Sequence, residues 1–196
     1  MIPPLFRRPD PTIATLYGAI VTQARDPRFY EFYGVPDTVL GRFDLIVLHL
    51  ALLLRRLRAG DPSARALAQS LFEKAKPHFE LRVQDHPDDA VFLDRLGKLY
   101  AYLGRKEDAI SASRRAVELM PESKDADEAP DYASNLALVY ARTGEADQAI
   151  ALIEQLLTKP NGLTLAELRL RWEWDPLRND PRFKKILAGP EPKTVY

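Results

Sequence analysis

The sequence predicts an all-α fold, and three observations support that prediction. Apolar residues recur at helical spacing along most of the 196 residues. Proline and glycine divide the chain into segments of helical length, several of which begin with an Asp-Pro pair. No segment alternates apolar and polar residues for long enough to indicate a strand. We therefore expect an N-terminal helical unit followed by a short α-solenoid with a C-terminal capping segment.

The composition narrows the classes of function. The 28 basic and 28 acidic side chains cancel, so the bulk charge does not support nucleic-acid binding. The absence of cysteine excludes disulfides, thiolate metal sites and thiol catalysis, and it suits a reducing compartment. The start of the sequence lacks the apolar region and the cleavage site of a signal peptide. We therefore expect a soluble, unprocessed, cytoplasmic protein.

Proline marks the helix starts in the first part of the chain. Asp10 and Pro11 form a typical start, and apolar residues follow them at helical spacing. Asp61 and Pro62 repeat this pattern for a later helix. Within that later helix, Pro77 is expected to cause a kink or an interruption, because proline removes a backbone hydrogen bond.

A long helix is predicted from Gly41 to Ala59, with Gly60 as its stop. Its apolar run is too short to span a membrane, which takes about 20 residues. At 100° per residue the helix has two apolar faces, whereas a surface helix needs only one. The first is a broad face formed by Phe43, Ile46, Val47, Leu50, Leu53, Leu54 and Leu57. The second face is a stripe formed by Leu45, Leu48 and Leu52. This stripe is either covered by neighbouring helices or used to bind a partner, and contact with a membrane surface is a less favoured third alternative.

An internal repeat occupies the rest of the chain. Segments that start at Ala90 and at Pro130 carry small and aromatic residues at matching helical positions, and this pattern is typical of the 34-residue tetratricopeptide repeat. Gly97 and Ala109 allow two helices to approach closely, and Gly104 makes the turn between them. The repeat positions are Leu96, Gly97, Tyr100, Gly104, Ala109, Ala116 and Pro121, then Leu136, Ala137, Tyr140, Gly144 and Ala149.

The last segment is expected to cover the core that the final repeat would otherwise expose, as solenoids require. Asp175-Pro176 and Asp180-Pro181 predict the starts of two short helices, and residues 189–196 are expected to be a flexible tail. The predicted capping residues are Trp172, Trp174, Leu177, Phe183 and Ile186.

The run from Gly34 to His49 contains "GVPDT", "GRFD" and "VLH" in close succession. With its flanks, from residue 10 to about residue 70, it resembles the ubiquinol–cytochrome c chaperone family. The resemblance implies a helical, non-enzymatic assembly factor that helps newly made cytochrome b to join the respiratory bc1 complex. It also implies a membrane-protein subunit as client, and peripheral association with the inner face of the inner membrane.

The segments "HPDDA", "NLALVYARTGE" and "WDPLRNDPRFKKIL" are similar to another group of proteins. They resemble the tetratricopeptide region at the C-termini of bacterial signalling proteins, such as serine/threonine kinases and TolB-like proteins. We therefore expect a chaperone-like segment at 1–69, repeats with their cap at 70–188, and the tail. In an alternative interpretation the protein is a scaffold detached from such a signalling protein, and the N-terminal helices serve only as a structural cap.

The tetratricopeptide resemblance also implies a concave groove lined by the first helix of each repeat. Repeats of this kind that capture a C-terminal carboxylate use a clamp of Lys, Asn and Arg. The fifth and ninth positions of the first copy are Asp94 and Lys98, so that clamp is not reproduced. We expect a groove of mixed charge that binds an internal peptide segment or a helix, with Tyr102 as the aromatic anchor; alternatively, these side chains are merely solvated. The candidate groove residues are Asp94, Lys98, Tyr102, Asp131, Ser134 and Arg142.

Catalytic and metal-binding motifs are not found in the sequence. The three histidines, His49, His78 and His86, form no H-E-x-x-H pair. The sequence has no glycine-rich phosphate loop and no G-x-S-x-G elbow. The acidic cluster "DADEAPD" lacks the central glycine and the terminal glutamate of a calcium loop. We therefore predict a non-enzymatic protein that binds a protein or peptide client and takes no cofactor, metal, small-molecule substrate or nucleic acid.

Overall fold

The computed structural model describes residues 11–190, and these form ten α-helices and one 3-10 helix with no strand. The all-α prediction is therefore confirmed. The helices are α1 Pro11–Ala24, α2 Pro27–Glu31, α3 Val39–Arg58, α4 Pro62–Asp85, α5 Ala90–Leu103, α6 Lys106–Leu119, α7 Ala129–Thr143, α8 Ala146–Leu156, α9 Leu165–Leu170, the 3-10 helix Trp172–Leu177, and α10 Pro181–Ala188.

The chain divides into two compact units, one up to residue 82 and one from residue 83 onward. The division falls within α4, and the boundary expected at 69/70 falls earlier in the same helix. The expected tail at 189–196 lies mostly outside the described residues.

Asp-Pro pairs begin helices where the aspartate can cap the first turn. Asp61 accepts a hydrogen bond from the backbone N–H of Ala64 at the start of α4. Asp180 accepts one from the N–H of Arg182 at the start of α10. Both starts were predicted. The start predicted at Asp175-Pro176 was wrong, since both residues lie inside the 3-10 helix. At the start predicted for the first helix, Pro11 begins α1 and Asp10 lies outside the described residues.

Pro77 does not interrupt α4, which is one helix from Pro62 to Asp85. Of the two outcomes expected at Pro77, a kink or an interruption, the interruption was therefore wrong. Two ring contacts of the neighbouring residues hold this part of α4 against the rest of the first unit. Phe79 meets the ring of Phe43 edge-on with centroids 5.3 Å apart, and His78 stacks on Tyr17 at 5.6 Å. Tertiary packing of this kind offsets the hydrogen bond that proline removes.

The first unit has its core between α1, α3 and α4. On α3, Leu50 and Leu54 are completely buried, and both belong to the broad apolar face that the sequence predicted. On α4, Leu71 and Phe72 are also completely buried. The broad face of α3 is therefore a core face, which leaves the narrower stripe to be explained separately.

The second unit consists of two helix hairpins, α5 with α6 and α7 with α8. In each hairpin the first helix ends at a glycine in the left-handed conformation, with φ of 73° at Gly104 and 84° at Gly144. Residues other than glycine rarely adopt this conformation. Gly97 and Ala109 are fully enclosed where α5 crosses α6. These are the roles that the repeat pattern predicted.

A C-terminal segment covers the second hairpin. The side chains of Trp174 and Phe183 are completely buried, Leu177 is nearly so, and all three join the core of α7 and α8. Ile186 packs at its edge, and Trp172 is half-buried. The helix α9 that introduces this segment begins with a capping box, a motif that satisfies two backbone N–H groups at once.

Candidate protein-binding surfaces

The narrow stripe on α3 is divided between core and surface. Leu45 is buried, with 4% of its surface exposed, whereas Leu48 and Leu52 are 50% and 48% exposed. The structure therefore places Leu45 in the core, which corrects its inclusion in the candidate partner surface. The open part of the stripe consists of Leu48 and Leu52.

The connector before α3 and the short helix α2 pack against the first half of α3. The backbone carbonyl of Pro36 lies against Gly41, so closely that any β-carbon at that position would collide with it. The ring of Phe29 on α2 meets His49 edge-on with centroids 5.4 Å apart, and Nδ1 of His49 is hydrogen-bonded to the carbonyl of Leu45 at 2.7 Å. These contacts place α2 and its connector beside the N-terminal half of the stripe, where Leu45 is buried, whereas Leu48 and Leu52 are exposed.

Four exposed apolar residues near this stripe were missed by the sequence reasoning. Phe32 and Tyr33 follow α2 and are 77% and 75% exposed, and Val39 and Leu40 at the start of α3 are exposed as well. Phe32 and Tyr33 lie between two helices, where helical periodicity gives no signal, and Val39 and Leu40 precede the start predicted for the long helix at Gly41. The adjacent aromatic pair in "EFYG" was the available signal, since exposed aromatic side chains are enriched at binding surfaces.

The stripe leads into a basic helix end. Arg55, Arg56 and Arg58 occupy the last turn of α3, and no acidic residue occurs from Leu45 to Arg58. Cations at a helix C-terminus are stabilised by the helix dipole. They also give the open part of the stripe a positive border.

The candidate groove of the second unit contains a buried carboxylate at its centre. Only 1% of Asp94 is exposed. Its Oδ2 accepts from Lys98 Nζ at 3.0 Å, from Arg95 at 3.2 Å, and from the side-chain amide of Asn135 on α7 at 3.2 Å. Oδ1 of Asp94 is buried without a hydrogen bond to any described residue. Asp94 thus links α5 to α7 and cannot itself present a large surface to a ligand.

The α7 side of the groove differs from the sequence expectation. Ser134 is buried at 9% exposure, and Asp131 is exposed. Asn135 was not predicted, although it supplies the contact between the two helices. Beside them, burial raises the pKa of Tyr132, and the charges of Glu128 and Asp94 raise it further. The phenol therefore stays neutral at physiological pH.

Tyr102 and Arg142 meet at the far end of the groove, together with a third residue. The Arg142 guanidinium lies 4.3 Å from the centroid of the Tyr102 ring and 5.6 Å from that of Trp172. The two rings are 5.9 Å apart. Cation–π contacts of this kind hold a flexible arginine in one orientation. Tyr102 is thus part of an aromatic–arginine cluster rather than a solitary anchor, and Trp172 of the capping segment completes that cluster.

Replacing Asp94 by Asn should lower the free energy of unfolding by about 1–3 kcal/mol, because Lys98 and Arg95 then lose a charge-assisted acceptor. Thermal unfolding followed by circular dichroism measures this. The matched control is Asp131→Asn in the same groove, which should change stability by no more than about 0.5 kcal/mol because the side chain is exposed. Equal melting of the two variants would show that Asp94 has no such role.

Two further observations bear on the class of protein. Between residues 11 and 190, no group of three or more metal-ligating side chains is placed to hold a metal ion. Among the same residues, no helix is both long enough and apolar enough to cross a lipid bilayer.

Comparison with known families gives two matches. Residues 31–105 match the ubiquinol-cytochrome C chaperone family. Residues 90–123 match the tetratricopeptide repeat. The resemblances to the chaperone family and to the tetratricopeptide repeat are thereby confirmed. No curated protein and no solved structure gives a significant match to the chain.

The two matches overlap in the region of α5. The chaperone match covers less than half of the chain but continues past residue 70, through α4 and α5. The tetratricopeptide match begins at the first residue of α5 and covers the hairpin of α5 and α6. Helix α5 therefore belongs to both patterns. A chaperone family and a tetratricopeptide repeat both indicate a protein-binding module.

Proposed function

We propose that this protein is a non-enzymatic assembly chaperone or adaptor for a respiratory complex of the cytochrome bc1 type. The N-terminal unit holds a membrane-protein client, and the repeats dock a second protein. The client requires the chaperone to work at the cytoplasmic side of the inner membrane, in peripheral association with it.

One observation carries this proposal. Eight large apolar side chains are exposed between residues 11 and 190, and seven of them fall within the segment that matches the chaperone family. Soluble proteins rarely concentrate exposed apolar side chains without a binding role. The seven are Phe32, Tyr33, Val39, Leu40, Leu48, Leu52 and Leu81.

The repeat unit supports the same proposal in a different way. Its groove is preorganised, since Asp94 fixes Lys98 and Asn135, and the aromatic–arginine cluster fixes Arg142. Preorganised side chains lose little entropy when they bind a partner. We assign to this groove an internal peptide segment or a helix of the partner, contacted by Lys98, Asp131 and Arg142.

The test is a gene deletion in the native host with complementation. We expect the deletion to lower ubiquinol–cytochrome c reductase activity and assembled cytochrome b, and the wild-type gene to restore both. The double variant Leu48→Asp, Leu52→Asp should accumulate normally and fail to restore them. Affinity purification should recover respiratory subunits. Recovery of kinases or transcription factors, with normal reductase activity in the deletion, would instead support the detached signalling scaffold.

A further inference from the structure

The side chains around Asp94 form a donor set of the kind that binds a carboxylate. The N–H groups of Lys98, Arg95 and Asn135 lie within 3.2 Å of one oxygen of its carboxylate. Lysine and arginine are the side chains that proteins use to recognise carboxylates, and an amide adds a neutral donor. Because Asn135 comes from α7 and the two cations come from α5, the set is complete only when these helices are packed together.

The cations of this set are accessible, whereas the carboxylate is not. The side chains of Lys98 and Arg95 are 25% and 28% exposed, and that of Asp94 is 1% exposed. A ligand would therefore contact the cations, while the carboxylate between them stays out of reach.

We propose that Asp94 determines the ligand specificity of the groove. Its carboxylate occupies, from within the protein, the position that a carboxylate of a partner would take, so the groove rejects acidic side chains and C-terminal carboxylates. The inference rests on the proposed function in so far as the groove binds a protein segment, and it adds the class of ligand.

Two physical effects favour the internal carboxylate over an external one. Asp94 is part of the chain, so it loses no translational or rotational freedom when it meets its donors, whereas an external ligand does. Its negative charge also repels a second carboxylate that approaches the same cations.

The chemistry that remains favours the backbone carbonyl groups of an internal, extended segment. A lysine ammonium carries three donors, so Lys98 can hold Asp94 and also donate to a carbonyl oxygen of a partner. A carbonyl group has no net charge, and Asp94 therefore does not repel it as it repels a carboxylate. Such a segment fits the groove better than the charged end of a chain.

The test removes the internal carboxylate and offers an external one. The full chain with Asp94→Ala is titrated with sodium acetate, with acetamide as the neutral analogue and sodium chloride as the control for ionic strength. We expect acetate to raise the melting temperature of this variant by about 2–4 °C more than either control does, and to have no such effect on the wild type. If Asp94→Ala is unfolded in dilute buffer, acetate should restore its helical circular dichroism signal and acetamide should not.

A readout at the site itself separates occupancy of this position from general effects. In the NMR spectrum of isotope-labelled Asp94→Ala, the side-chain amide signal of Asn135 should shift as acetate is added, and in the wild type it should stay in place. Asp94→Asn is the matched control, because its amide fills the same space, and it should take up no acetate at this position. Asp131→Ala removes an exposed carboxylate of the same groove and should behave as the wild type does.

An ion pair with a purely structural role predicts different results. Asp94→Ala would then be destabilised and insensitive to acetate, and that result would overturn the inference. Equal shifts with acetate and chloride would also overturn it, because they would reflect charge screening alone. So would an acetate-dependent shift of the Asn135 signal in the wild type, since the position would then accept a second carboxylate.

The respiratory assay is independent of these outcomes. Normal reductase activity after gene deletion, with the acetate response of Asp94→Ala intact, would refute the bc1 assignment and keep the role of Asp94 in the groove.

Discussion

Replacing Gly97 with alanine is expected to lower the free energy of unfolding by about 1–3 kcal/mol, and replacing it with leucine should cost more. A β-carbon at Gly97 would collide with the hydroxyl of Ser113 on α6 and lie 3.1 Å from the carbonyl oxygen of Ala109. The carbonyl is backbone and cannot move without separating the two helices. The expected result is a lower melting temperature for Gly97→Ala and loss of the first hairpin for Gly97→Leu.

The matched control is Gly18→Ala in α1, where a β-carbon would meet nothing within 4 Å. That change should be neutral or stabilising, because alanine favours a helix over glycine. Combining Gly97→Ala with Ser113→Ala should restore part of the lost stability, since it removes the hydroxyl but leaves the carbonyl in place. Identical melting of Gly97→Ala and Gly18→Ala would show that the hairpin has room to adjust.

The close approach of two helices at Gly97 was predictable from the sequence. Glycine destabilises the interior of a helix, and the repeat spacing places this glycine where the two helices of a hairpin meet. The same spacing predicted the turns at Gly104 and Gly144. These signals are local or have a fixed period, so a single sequence contains them. The buried Trp174 and Phe183 were predictable for a related reason, because a solenoid must cover its last core surface.

The parts of the candidate surfaces that were not predicted depend on contacts distant in sequence. Whether Leu45 is covered depends on the tertiary packing around α3, which the periodicity of α3 cannot show. In the sequence Asp94 cannot be told from an exposed charge on a helix surface, because Asn135 of α7, which contacts it, is 41 residues away. Trp172 joins Tyr102 and Arg142 only because the capping segment returns to the end of α7.

Replacing Leu50 with aspartate is expected to destabilise the first unit by more than about 4 kcal/mol, whereas the same change at Leu48 should alter stability by less than about 1 kcal/mol. The two residues are neighbours in α3, but Leu50 is completely buried and Leu48 is half exposed. An aspartate at residue 50 would bury an unpaired charge, and one at residue 48 would stay hydrated. Urea unfolding followed by circular dichroism measures both effects.

Client capture should be lost in both variants, but for different reasons. Leu48→Asp should remain folded and lose the client, because the charge disrupts an apolar contact without touching the core. Loss of capture in Leu50→Asp would follow from unfolding alone, so the informative variant is the one that stays folded. If Leu48→Asp unfolded as readily as Leu50→Asp, the stripe would be core rather than surface. If Leu48→Asp stayed folded and kept full client affinity, the stripe would be exposed but not used for binding.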